Sequence, residues 1–170
     1  VDPGGNPVRA RSNPGSRRRV LTLYILDTNI ASAFAPKKAA TSATQPDIID
    51  WFSRNQAQLY ISTITMIEIE AGVLKLGRTA PGRWHRELSI WYDVLLARFS
   101  DRILALDIDV ARIAAGLSDR SAERGLNPGL PDMAIAATAI AYGMVLLTRN
   151  LRHFSPLGIA AIDPFERLPT

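Results

Sequence analysis

Apolar and polar residues are distributed along this chain in blocks, with short β-prone runs separated by longer stretches of helical spacing. The first run, LTLYIL from Leu21 to Leu26, stops abruptly at Asp27, Thr28 and Asn29, and predicts a buried strand that surfaces at a carboxylate. Ile30 to Ala35 reads as a helical turn stopped by Pro36, and Lys37 to Gln45 as a small, polar surface loop. Pro46 suits a first helical position and opens a helix running to Asn55, followed by a second strand over Leu59 to Ser62. In ISTITMIEIEAGVLKLG, Ile64, Ile67, Ala71 and Leu74 form one helical stripe, which Met66, Ile69, Val73 and Leu76 widen. Thr63 or Thr65 can cap this helix, and Thr65 with Glu68 matches the capping-box pattern.

Gly72 inside that helix costs stability and calls for a packing reason, while Gly77 to Gly82 predicts a break. Arg83 to Phe99 then forms an amphipathic helix whose Trp84, Leu88, Trp91, Tyr92, Leu95 and Leu96 read as core or interface. A third strand is expected over Arg102 to Leu106, a helix capped by Asp107 or Asp109 from Val110 to Arg124, and a stop at Gly125. Pro131 and Asp132 open an Ala/Ile-rich helix ending at Gly143. Met144 to Leu147 is a fourth strand, again ending on polar residues, Thr148, Arg149 and Asn150. A short segment, Leu151 to Phe154, and a last strand over Gly158 to Ile162 complete the pattern. Strands alternating with helices, without hairpin signals, predict an α/β fold with a central parallel sheet of four to five strands and helices on both faces.

Composition narrows the chemistry. The chain has 170 residues, enough for one domain with a substantial core, and no apolar stretch approaches the roughly 20 residues of a membrane span. It contains no cysteine and only His85 and His153, so any metal is expected on oxygen ligands, and a reducing cytoplasm is compatible. The formal charge of +4 is carried entirely by residues 1–20, whose arginines stand in a Gly/Pro/Ser-rich context that predicts a disordered basic tail. The remaining body, residues 21–170, is formally neutral and reads as a single domain.

Asp27 at one strand end, Asn150 at another, and the helix-borne Glu68 and Asp132 can all face the carboxyl edge of such a sheet. Each also has a local explanation: a turn cap for Asp27, a capping box for Glu68, a helix-dipole partner for Asp132. Glu70 lies about 200° from Glu68 around the helix and cannot share its site. Clustered carboxylates repel one another and are tolerated mainly where they bind cations such as Mg²⁺ or Mn²⁺.

ILDTN, ISTITMIEIEAG and PDMAIAATAIAYGMVLLTRNLRHF together resemble the signature regions of PIN-domain proteins, most closely the VapC-type toxins of bacterial toxin–antitoxin modules. The resemblance spans Leu21 to Pro164. It implies a PIN-like three-layer α/β/α fold and a Mg²⁺- or Mn²⁺-dependent endonuclease of single-stranded RNA. It further implies a cytoplasmic homodimer held inactive by a VapB-like antitoxin, in a heterotetramer or larger assembly. Asp27, Glu68 and Asp132 match the family's metal-binding acids, and the fourth catalytic position falls on Asn150. Thr28, Asn29 and Thr148 match polar positions that line the pocket, and Arg149 and His153 are candidates for RNA-phosphate contact. His153 also stands where a nearby acid is often found. With only three formal negatives, one firm metal site and a weaker second are expected. The alternatives are an inactive PIN-like RNA- or protein-binding module and an aspartate-nucleophile phosphatase. The phosphatase reading lacks an Asp two residues after Asp27 and a suitably placed lysine, since Lys37, Lys38 and Lys75 are the only ones.

Overall fold

Strand β1 (Tyr24–Leu26) is buried along its length and lies at the centre of a five-stranded parallel sheet of order β3-β2-β1-β4-β5. The other strands are β2 (Leu59–Ser62), β3 (Ile103–Leu104), β4 (Val145–Leu147) and β5 (Ala161–Ile162). This computed structural model describes residues 21–37 and 45–169. The basic tail expected over residues 1–20 and most of the loop expected from Lys37 to Gln45 lie outside the described residues. β1 is shorter than its apolar run because Leu21 is 64% exposed, and Leu23 joins the sheet only by accepting from Val145 N–H at 3.0 Å.

Side chains alternate across a strand, and the two faces of this sheet carry separate cores. Ile25, Leu104 and Leu146 pack with α5 (Ile108–Glu123) and α6 (Leu130–Tyr142). Tyr24, Leu26, Ile61 and Leu147 pack with α1 (Thr28–Ala31), α2 (Pro46–Arg54), α3 (Thr63–Thr79) and α4 (Arg83–Arg98). This is the expected three-layer arrangement. In α6, Met133 to Ala139 are all buried, the small alanines letting the helix sit close against α5. The chain end closes over the second face, where Trp51 Nε1–H donates to the Pro169 carbonyl at 3.0 Å. Among the described residues, no helix is long and apolar enough to cross a membrane.

Three expectations about α3 change. Ser62, not Thr63 or Thr65, is its N-cap, accepting from Thr65 N–H at 3.0 Å. The capping-box reading of Glu68 therefore falls, because the residue that would have capped is itself capped. Of the apolar residues on this helix, Met66, Ile69 and Val73 are buried, whereas Ile67 and Leu74 are each 60% exposed. The helix has apolar residues on more than one face, and the sheet takes the face that Ser62 and Thr65 begin. The helix also runs on to Thr79, so the break expected from Gly77 to Gly82 is confined to residues 80–82. Gly77 has a packing neighbour instead: a Cβ there would stand 2.6 Å from the His85 side-chain Nε2 on α4, which would have to shift. No such reason exists for Gly72, where a Cβ would meet open space. Asp107 caps α5, accepting from Val110 N–H at 2.9 Å, and Gly143 ends α6 in the left-handed region at φ 61°.

Candidate active site

The strand order reverses at β1: the chain leaves it for β2 and β3 on one side and returns to β4 and β5 on the other. In open α/β sheets the crevice at such a switch point, at the carboxyl ends of the strands, is where ligands bind. Asp27 follows β1 and Thr148 follows β4, and the register that pairs Leu26 with Leu147 brings them side by side. The Asp27 N–H donates to the Leu147 carbonyl at 2.9 Å, extending the ladder into the site.

Asp27 is only 3% exposed, yet its carboxylate is well supplied with donors. Oδ1 accepts from the Thr28 N–H at 2.7 Å, which makes Asp27 the N-cap of α1. Oδ2 accepts from Asn29 Nδ2–H and from the Thr148 hydroxyl, both at 2.6 Å. Asp27 thus caps α1 through Oδ1 and meets Asn29 and Thr148 through Oδ2. Burial, as the largest influence, raises the Asp27 pKa above the ordinary 3.8, opposed by the Thr148 and Thr28 hydrogen bonds and assisted by the charges of Asp132 and Glu68. The three acids expected from separate segments therefore share one electrostatic neighbourhood.

The other predicted residues fall around them. The Thr28 hydroxyl donates to Glu68 Oε2 at 2.5 Å, so residues 40 apart in sequence join β1's end to α3. Thr148 also accepts from the Asn150 N–H at 2.9 Å, and Asn29 Oδ1 accepts from the Arg149 N–H at 3.0 Å. Asn150 precedes α7 (Leu151–Phe154), and its side chain makes no cap bond and, among the described residues, no other hydrogen bond. His153 does not project freely toward a phosphate: its Nδ1 lies 2.9 Å from Asp132 Oδ2. Exposed Arg149 lays its guanidinium over the Phe165 ring, 5.2 Å from the centroid, instead of pairing with an acid.

Sequence reasoning missed Asp163 and Phe165. Asp163 ends β5 beside the site and is buried, and its Oδ1 accepts from the Phe165 N–H at 2.8 Å, a turn-forming contact. An Asp-Pro pair after a strand was the available signal for that turn; the Arg149–Phe165 stack had none.

Among the described residues, no group of three or more His, Asp and Glu side chains is gathered closely enough to hold a metal ion as it stands. The donor set nevertheless fits a hard divalent cation in kind. It is made of carboxylate oxygens, and among the described residues no Lys or Arg forms an ion pair with Asp27, Glu68 or Asp132, and no hydrogen bond reaches Glu68 Oε1 or Asp132 Oδ1.

This combination defines a PIN-like α/β protein with an acidic site at the switch point, and the comparison with known proteins agrees. The PIN domain family model matches residues 24–157, and the chain belongs to that family. The plasmid stability protein StbB of Pseudomonas syringae pv. tomato is 31% identical over 150 residues, covering 85% of this chain and 99% of StbB. The VapC ribonuclease Y4jK of Sinorhizobium fredii is 28% identical, again over 85% of this chain and 99% of its own length. Among solved structures, FitAB bound to an IR36 DNA fragment superposes with a TM-score of 0.71 at 27% identity, covering 84% of this chain and 96% of the matched chain.

Proposed function

We propose that this chain is a VapC-type toxin, a cytoplasmic Mg²⁺- or Mn²⁺-dependent endoribonuclease that hydrolyses single-stranded RNA and is neutralised by a cognate VapB-like antitoxin. The observation that carries the reading is Asp27: a buried carboxylate whose charge no Lys or Arg offsets among the described residues, and whose pKa the charges of Asp132 and Glu68 help to raise. A fold keeps such a group when a cation or the reaction needs it. Asp27 and Asp132 would hold the ion, with Glu68 on the ion or on one of its waters. The ion would supply positive charge at the scissile phosphate and lower the pKa of the attacking water. Thr148 and Asn29 hold Asp27 in place through Oδ2, and Thr28 holds Glu68 through Oε2. Asn150 brings a carbonyl oxygen but no charge, which favours one firm ion and a weaker second. The products would be a 5′-phosphate and a 3′-hydroxyl, and the exposed Arg149 would meet the RNA backbone.

The partners of the relatives point the same way, and an apolar groove supports an antitoxin. Phe34, Ile49, Phe52, Trp91, Val94 and Leu95 line a hollow of about 310 Å³ between α2 and α4. An amphipathic partner helix suits such a groove. The exposed Ile67 and Leu74 on α3 supply an apolar face for a homodimer, and hence for a heterotetramer or larger complex with antitoxin.

Cleavage of an RNA pool with Mg²⁺, with EDTA, and by Asp27→Asn tests the reading. Cleavage should require the ion and should fall to background in the variant; wild-type cleavage by Asp27→Asn would sink it. A second reading, a PIN-like module that binds RNA or protein without cutting, is favoured by the uncharged Asn150. It predicts RNA binding that is indifferent to EDTA, with no cleavage.

A further inference from the structure

The hydrogen bonds at the acidic site follow a rule that the family resemblance did not contain. Each acid has one oxygen held by a side-chain donor from another segment: Thr148 on Asp27 Oδ2, Thr28 on Glu68 Oε2, His153 on Asp132 Oδ2. The third of these is made by His153, at a place where the resemblance leads one to expect an acid. We infer that His153 is a positioning residue for Asp132, fixing Oδ2 so that Oδ1 remains for a divalent ion. This rests on the proposed metal-binding role of Asp132.

Both ends of the contact are rigidly mounted. Asp132 lies in the first turn of α6, and the next seven residues, Met133 to Ala139, are buried. His153 sits on α7 beside Phe154, which is fully buried, and its own N–H donates to the Asn150 carbonyl at 2.9 Å. The direction of the bond follows from chemistry. An ionised carboxylate only accepts, so the imidazole carries its proton on Nδ1 and donates it. One donor occupies one oxygen and leaves the other lone pairs free, the arrangement by which donors behind a metal ligand orient it. An acid at position 153 would instead add a fourth negative charge and no donor. The histidine therefore exchanges a charge that would attract a second ion for a hydrogen bond that orders the ligand of the first.

The test is Mn²⁺ binding to the full chain, followed by the loss of the free-ion electron paramagnetic resonance signal, for wild type, His153→Ala, His153→Leu and His153→Asn. Leu keeps bulk without a donor; Asn places an N–H near the position of Nδ1. Ala and Leu should weaken the firm site about 10–100-fold, the cost usual for losing such a partner. Asn should recover most of that loss, while thermal melts without metal confirm that all four proteins are folded. Wild-type Mn²⁺ affinity in His153→Ala or His153→Leu overturns the inference and leaves the metal reading standing, as does failure of Asn to restore affinity. A wild-type protein that binds no Mn²⁺ overturns the metal reading itself, and the inference with it.

Discussion

Thr148→Val removes a single hydroxyl from the centre of the site, and its effect can be worked from the contacts. Thr148 is fully buried, and valine has nearly its shape, so no cavity opens. What is lost is the hydroxyl's donation to Asp27 Oδ2 at 2.6 Å, its acceptance from the Asn150 N–H at 2.9 Å, and a longer acceptance from Asn29 Nδ2–H at 3.3 Å, whose donor keeps Asp27 Oδ2 as a partner. A hydrogen bond to a charged group contributes about 1.5–3 kcal/mol. The half-buried Asn150 N–H can turn to water, so it adds little, and the expected loss at neutral pH is about 2–3 kcal/mol. That loss must depend on pH. Because the Asp27 pKa is raised in the folded state, its favourable contribution is full below the ordinary value of 3.8 and is lost as pH rises through the folded value. The Thr148 bond opposes that rise. Without it the folded pKa climbs further and the decline toward neutral pH becomes steeper. In acid the bond joins two neutral groups and contributes about 0.5–1.5 kcal/mol, so the penalty of the substitution should shrink by about 1 kcal/mol. Urea unfolding of wild type and variant at pH 7 and below the ordinary Asp value, without metal, measures this. A penalty below about 0.5 kcal/mol, or one equal at both pH values, would refute the reasoning. So would an undiminished penalty in the Asp27→Asn background, because the partner that gives the bond its strength is then gone.

Two glycines on one helix should respond differently. Gly72→Ala places a methyl group in open space on a helix and should stabilise by about 0.5–1 kcal/mol in urea unfolding. Gly77→Ala meets His85 at 2.6 Å and should forfeit that gain by disturbing the packing of α3 on α4; equal stabilisation by both would show that the contact yields freely. Adding Mn²⁺ should raise the melting temperature with the logarithm of its concentration, by about 2.7 kcal/mol of stabilisation at a hundredfold excess over Kd, and EDTA should reverse it. Asp27→Asn should abolish that response, and a normal rise in this variant would place the ion elsewhere.

The order of strands and helices was legible in the sequence because it is encoded locally. The apolar run ending at Asp27, the cap at Asp107, Pro131 at the head of α6 and Gly143 at its end each declare themselves within a few residues. The parallel topology followed from alternation, and Asp27 at a strand end and Asp132 in the first turn of a helix could be named as candidates from position, while Glu68, inside α3, was picked out by the family resemblance. Helical periodicity could not choose which apolar stripe of α3 would be buried, since Ile67 and Leu74 are as hydrophobic as Met66 and Val73. Only the sheet against which the helix docks breaks that tie. The donors that hold the acids were equally hidden: Thr28 to Glu68, His153 to Asp132 and Thr148 to Asp27 span 40, 21 and 121 residues. Local spacing carries no information across such intervals. The sequence thus determined which carboxylates reach the edge of the sheet. The tertiary structure decided which oxygens are held and which remain free, because hydrogen-bond geometry depends on how separate segments meet.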